Sequence, residues 1–309
     1  MWPERAAMAR ALLRAANGLG SRAAEALWGS AGAAAGGLLK PRPRRWSGGG
    51  GERVVVIAPH PDDEAVGCAG TAIRHQQRGD SVHVVVVTDG ARSRALGLDR
   101  ASMGRCREQE ARAAAARMGA RCHWLDLREG DWSPESGRAS IRRALQAIDA
   151  TVVYAPSAID YHPEHRRVAE ALAAVLCECG FTPEVRLYAI QVPLTPLLTN
   201  LIHDVSDLDD AIRAVLASYP SQRQTLMNAS RLRRYAARFY GAGTRVEGFC
   251  AMPASLYASL HRRPLARFRG LENRAWIDPL TLAVGMSERL SWSRLAQAND
   301  RLRVVEASR

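Results

Sequence analysis

Lysine is almost missing from this chain: Lys40 is the only one among 43 basic residues. So uniform a preference for arginine reads as a compositional habit, and it says little about recognition geometry. The formal charge of +12, with a pI near 10.2, still favours anionic partners. Cysteine is present six times (Cys68, Cys106, Cys122, Cys177, Cys179, Cys250) but never in CxxC spacing, which argues against a disulfide framework and fits reduced thiols in a cytoplasmic enzyme. The uncharged run from Ala26 to Leu39 is too short and too weakly apolar to span a bilayer, and no convincing small-residue cleavage site follows a leucine-rich core. No Gly-x-Gly-x-x-Gly follows the first strand, no basic groove is interleaved with aromatics, and no repeat is visible; dinucleotide and nucleic-acid binding lose their usual signatures. What remains, at 309 residues and 47% hydrophobic content, is a globular protein with a substantial core.

The chain divides by composition into three segments. Residues 1–52 form a basic Ala/Arg-rich extension, amphipathic where Met8, Leu12, Leu13, Leu19 and Leu27 recur, then a linker through the Ala/Gly run 31–37 and Gly48 to Gly51. The extension is expected to be solvated; the second reading is a basic arm lying on an anionic membrane, at its inner face. Residues 53–255 alternate strand and helix, and residues 256–309 form an Arg-rich extension with no assigned role. In the middle segment Val54–Ala58, Ser81–Thr88, Cys122–Asp126, Thr151–Ala155 and Val185–Val192 read as strands. Helices are expected at Ala65–Arg78, Met103–Met118, Gly137–Asp149, Glu164–Cys179, Val205–Ser218 and Leu232–Tyr240, and Val246–Met252 as a late strand covering an edge. The fold class is α/β: a Rossmann-like, mostly parallel sheet with helices on both faces.

Two turns carry the chemistry. The first strand empties into His60-Pro61-Asp62-Asp63-Glu64, where proline ends the ladder and a helix begins. His60 and Asp63, three apart, share one side of that turn and read as metal ligands, with Asp62 beside the metal as a base. The plain alternative is that Asp62 or Asp63 only N-caps the helix. The fourth strand empties into Asp160-Tyr161-His162-Pro163-Glu164-His165-Arg166, again a histidine-proline turn opening a helix, and three of the eight histidines lie in these two turns. A strand order of 3-2-1-4-5 places the turns face to face across the switch-point crevice, as a shared metal site requires. Asp89, Arg92 and Tyr161 are candidates for lining a substrate pocket, the first two from their place after the second strand.

Pro59-His60-Pro61-Asp62-Asp63-Glu64, Gly67 and Gly70, Thr88-Asp89-Gly90, the Arg107–Gly119 helix and the second turn together resemble the LmbE-like, or PIG-L-type, zinc N-deacetylases, over roughly Arg53 to Met252. The resemblance implies a Rossmann-like sheet, cytosolic or membrane-facing placement, and hydrolysis of an N-acetylglucosamine-containing conjugate, small or lipid-linked. It implies one Zn²⁺ per chain on His60, Asp63 and His165, with Asp62 as general base and His162 assisting the oxyanion. The second turn departs from the family's His-Pro-Asp-His by carrying Glu164 in place of the aspartate. Two other classes stay open: a nonhaem Fe(II) oxygenase, since two histidines and a carboxylate also suit Fe²⁺, and a non-catalytic nucleotide- or nucleic-acid-binding protein, though no nucleic-acid partner is expected.

Overall fold

The structure, a computed structural model, describes Ser30, residues 43–157, Asp160, residues 162–190, Leu194 and residues 199–261. Tyr161, nearly all of the N-terminal arm and the segment from residue 262 onward lie outside the described residues.

Among the described residues eight strands form one sheet: β1 (Arg44–Arg45), β2 (Arg53–Ala58), β3 (Ser81–Thr88), β4 (Arg121–Leu127), β5 (Val152–Ala155), β6 (Glu184–Tyr188), β7 (Leu201–Asp204) and β8 (Val246–Pro253). Their order is β1-β7-β8-β6-β5-β2-β3-β4. From β4 through β3, β2 and β5 to β6 every pair is parallel, so counting from β2 these strands run 3-2-1-4-5 as expected. The switch point lies between β2 and β5, where Val56 pairs with Tyr154 and both strand ends open on the same edge.

Among the described residues seven helices cover the sheet: α1 (Asp63–Gln77), α2 (Arg100–Arg117), α3 (Pro134–Ile148), α4 (Pro163–Glu178), α5 (Asp209–Leu216), α6 (Arg223–Tyr240) and α7 (Ala254–His261). Strand β2 shows why both faces need covering. Val55 and Ile57 pack with α3, α4 and α7, while Val54, Val56 and Ala58 pack with α1, α2, α5 and α6. All five side chains are fully buried, which explains an unbroken apolar run where a one-sided strand would alternate. Two glycines let α1 approach closely: a Cβ at Gly67 would collide with the Tyr188 ring, and one at Gly70 would fall 2.7 Å from Val205. Among the described residues no helix is long and apolar enough to cross a membrane.

The last third departs from the expected pattern. Strand β8 covers no edge; it lies antiparallel between β6 and β7. The expectation missed β7, whose Leu-Ile-His-Asp is too short and too polar at its end to announce a strand, and β1, which pairs with β7 from inside the presumed linker. Strand β6 stops at Tyr188, the 205–218 helix opens as a 3₁₀ turn at Ser206–Leu208 before α5, and α6 begins nine residues earlier than expected, at Arg223.

Trp46, just after β1, packs against the buried rings of His75 and His203 at centroid distances of 4.3 and 4.7 Å. Burial holds both histidines neutral, pushing each down to about 4, with Asp80 and Glu247 respectively offsetting only part of the effect. An unfolded histidine titrates near 6.5, so below that pH the unfolded chain takes up the proton first. Their contribution is therefore complete above about pH 6.5 and is lost as pH falls toward 4. The stability difference between wild type and His203→Gln, measured by denaturant unfolding, should shrink across that window by on the order of 3 kcal/mol. Gly67→Ala should lose about 1–3 kcal/mol in the same assay, because Tyr188, whose hydroxyl donates to Ile57 O at 2.8 Å, has little room to move.

Candidate metal centre

Pro61 ends β2, and the chain turns through Asp62 at φ 118° before α1 starts at Asp63. Few non-glycine residues adopt such a φ, and three contacts secure it. The Asp62 amide donates to Glu64 Oε2 at 3.2 Å, the Arg107 guanidinium donates to Pro61 O, and Arg107 Nη2 lies 3.2 Å from Asp62 Oδ1. Asp62 occupies the N-cap position of α1, yet its side chain makes no capping hydrogen bond. Its carboxylate is drawn to Arg107 instead, which removes the plain capping explanation for this aspartate.

Across the switch point, His162 caps α4: its Nδ1 accepts from the Glu164 amide at 3.2 Å. One turn later His165 enters the same buried space. Three donor atoms converge there. His60 Nδ1 and His165 Nε2 are 3.1 Å apart, and Asp63 Oδ2 lies 3.3 Å from each. Ligands held about 2.0–2.1 Å from a tetrahedral ion stand about 3.3 Å from one another, so this triangle has the size of one face of a divalent-metal site. The His60 amide donates to Asp63 Oδ2 at 2.8 Å and fixes the carboxylate. The His162 ring stacks on His165 at 4.7 Å and meets His60 edge-on at 4.6 Å. One nitrogen from each of the three histidines falls within 4.8 Å of the others, but the triangle that includes Asp63 is tighter.

Outside the triangle stand two more carboxylates. Asp160 Oδ1 lies 3.1 Å from His165 Nδ1, and Glu129 Oε1 lies 3.4 Å from His60 Nε2. Carboxylates behind ligating imidazoles orient the rings and raise their basicity. Burial works against the cationic form of His60, but Asp63 and Glu129 outweigh it and carry the ring up to about 9. His165 is likewise raised, against burial, by Asp63 and Asp160. Burial pushes His162 down to about 3, helped by its two histidine neighbours, so this ring stays neutral. Burial carries Asp62 up to about 6, with Arg107 opposing.

The candidate pocket residues separate. Asp89 Oδ1 accepts from the amides of Ala91 at 3.1 Å and Glu129 at 3.0 Å, so it shapes the rim by tying the ends of β3 and β4 together. Arg92 is exposed on that rim, and its amide donates to Glu129 Oε2 at 3.0 Å. Sequence reasoning passed over Glu129, although it follows β4 on the same sheet edge that singled out Asp89. It also passed over Arg107 as a site residue, because a buried arginine in a charged helix looks like its solvated neighbours until packing is known. Glu164 uses its extra methylene: Oε2 accepts from Gly130 N at 2.8 Å and Oε1 from Trp132 Nε1, anchoring the loop that carries Glu129.

Residues 55–176 match the family described as PIG-L: GlcNAc-PI de-N-acetylase. The matched segment includes both turns, the triangle, Glu129 and Arg107. A probable N-acetyl-alpha-D-glucosaminyl L-malate deacetylase 2 of Bacillus anthracis is 28% identical over 152 residues, which are 44% of this chain and 65% of that relative. An N,N'-diacetylchitobiose deacetylase structure from Pyrococcus horikoshii is 26% identical with a TM-score of 0.52, over 66% of this chain and 85% of that one. The 4-carboxy-2-hydroxymuconate hydratase GalB of Pseudomonas putida superposes with a TM-score of 0.54 at 19% identity, over 64% of this chain and 95% of that one, and shares the fold alone.

Asp160→Ala removes the carboxylate behind His165 while leaving the three donor atoms in place. Divalent-metal affinity, read by competition with a chromophoric chelator, should fall about 10- to 100-fold, and Asp63→Asn should fall further.

Proposed function

We propose that this chain is a metal-dependent N-deacetylase that hydrolyses the acetamide of an N-acetylglucosamine-containing conjugate. The observation that carries the proposal is the N,N,O triangle with a further buried carboxylate, Asp62, held beside it by Arg107. The relatives named as deacetylases of glucosaminyl malate and diacetylchitobiose support the sugar class. His60, Asp63 and His165 would hold the ion, and Zn²⁺ suits a four-coordinate site with one position open. A zinc ion bound there supplies Lewis acidity toward water and the substrate carbonyl.

The protein's own groups do the rest. Asp62 takes the proton of the attacking water and passes it to the sugar amine, which must leave protonated because an amide anion is a poor leaving group. Arg107 keeps the Asp62 carboxylate aimed and its backbone in the strained turn. His162 accepts the Glu164 amide at Nδ1, so its proton sits on Nε2, and that N–H donates to the oxyanion forming on the substrate. Glu129 and Arg92 line the rim where the sugar would enter. An oxygenase built on the same triangle would need no base beside it, and Asp62 therefore favours hydrolysis.

Asp62→Asn should retain bound metal and lose acetate release from N-acetylglucosaminyl substrates by about 10²- to 10⁴-fold. An undiminished rate would remove Asp62 from its role. His162→Ala should lower the rate about 10²- to 10³-fold with metal content unchanged.

A further inference from the structure

We propose that the loop between β3 and α2 is a docking surface for an anionic lipid interface, seating the catalytic edge of the sheet against it. Leu96 and Leu98, 49% and 44% exposed, are the large hydrophobic side chains that stand exposed among the described residues, and both belong to this loop. They flank Gly97, which has φ 67° and whose amide donates to Arg94 O at 3.3 Å. That tight turn presents both leucines outward, and nothing lies within 4 Å of where a Gly97 Cβ would be. An isolated exposed leucine needs no explanation, but two flanking one turn form an apolar tip.

The base of the loop is tied to the loops around the candidate metal centre. The Arg92 amide binds Glu129 Oε2, Ser93 Oγ accepts from Gln222 Nε2 at 2.9 Å, and the Arg100 guanidinium donates to Glu129 O at 3.2 Å. Glu129 in turn faces His60, so the apolar tip stands at the rim of the candidate metal centre. Around it Arg92, Arg94, Arg100 and Arg128 are exposed, against the carboxylates of Asp99 and Asp131, and Asp99 is engaged capping Ser102. Leucines at a turn with arginines beside them match a bilayer boundary, where acyl chains take the apolar tip and anionic headgroups take the guanidinium ions. Two other occupants fit less well on charge. A second copy would bring the same arginines together, and the segment 262–309 has ten arginines against five carboxylates, the same sign as the loop.

The test is independent of deacetylation, so its failure and that of the deacetylase reading can be told apart. The full chain is co-sedimented with vesicles of phosphatidylcholine alone and of phosphatidylcholine with phosphatidylglycerol. Wild type should partition onto the anionic vesicles and not the neutral ones. The Leu96→Asp/Leu98→Asp variant should partition at least about tenfold less, with unfolding unchanged because both side chains are exposed. Arg94→Glu should weaken partition at low salt and matter little at high salt. Equal partition of wild type and the double variant would overturn the proposal, as would absence of wild-type binding. So would a lipid-independent dimer that the double variant dissolves, which would make the loop a contact between copies.

Discussion

Asp63 brings a buried carboxylate within 3.3 Å of two imidazoles, and the need to compensate that charge shapes everything around it. An unpaired carboxylate at such depth costs several kcal/mol, roughly. Burial would raise its pKa, but His165 and His60 outweigh burial and keep it far below the usual carboxylate range. Each of those rings has a second carboxylate on its far side, Glu129 behind His60 and Asp160 behind His165. The carboxylates of Asp63, Glu129 and Asp160 thus favour positive charge within the triangle.

The topology makes the convergence possible. β2 and β5 are neighbours, so turns 105 residues apart in sequence meet at 3.1 Å. Three loops then secure one another through carboxylates that accept from backbone amides and, at Trp132, from an indole N–H. Asp89 joins the ends of β3 and β4, Glu129 holds Arg92, and Glu164 holds Gly130 and Trp132. Each bond is modest alone. Together they hold the loops around the triangle in register, although loops are otherwise the mobile parts of a fold.

What the sequence made legible follows from how local the signals are. That His60, Asp63 and His165 lie together was legible because proline turns mark strand ends, and parallel strands order themselves by a rule that places two such turns side by side. Strands β2, β3 and β5 were readable because burial on both faces leaves a nearly continuous apolar run, as in Val54–Ala58. β7 and β1 were not, since a four-residue strand ending in His203-Asp204 and a two-residue strand of arginines owe their existence to pairing partners. Glu129 and Arg107 were hidden for a related reason. Charged residues are assumed to be solvated, and only tertiary packing shows that these two, at 8% and 4% exposure, are buried.

Helix α1 shows how the two ends of the fold cooperate. Its first turn carries Asp63 and Glu64, and Glu64 is held by both the Asp62 amide and the Tyr219 hydroxyl, a residue from the far side of α5. Its middle carries Gly67 and Gly70, which seat it on Tyr188 and Val205, while Glu247 of β8 accepts the amides of Gly70 and Thr71 at 3.1 and 2.8 Å. Glu247 also pairs with Arg233 of α6, whose guanidinium donates to Ala65 O at 2.9 Å. A buried ion pair of this kind adds little net stability compared with apolar packing, but it fixes register. Here the register is that of the helix whose N-terminus bears a metal-ligand candidate. The antiparallel β7–β8 pair, absent from the strands that build the site, therefore sets the position of Asp63 through α1. A displacement of even one ångström along that helix would open the 3.3 Å contacts on which the triangle depends.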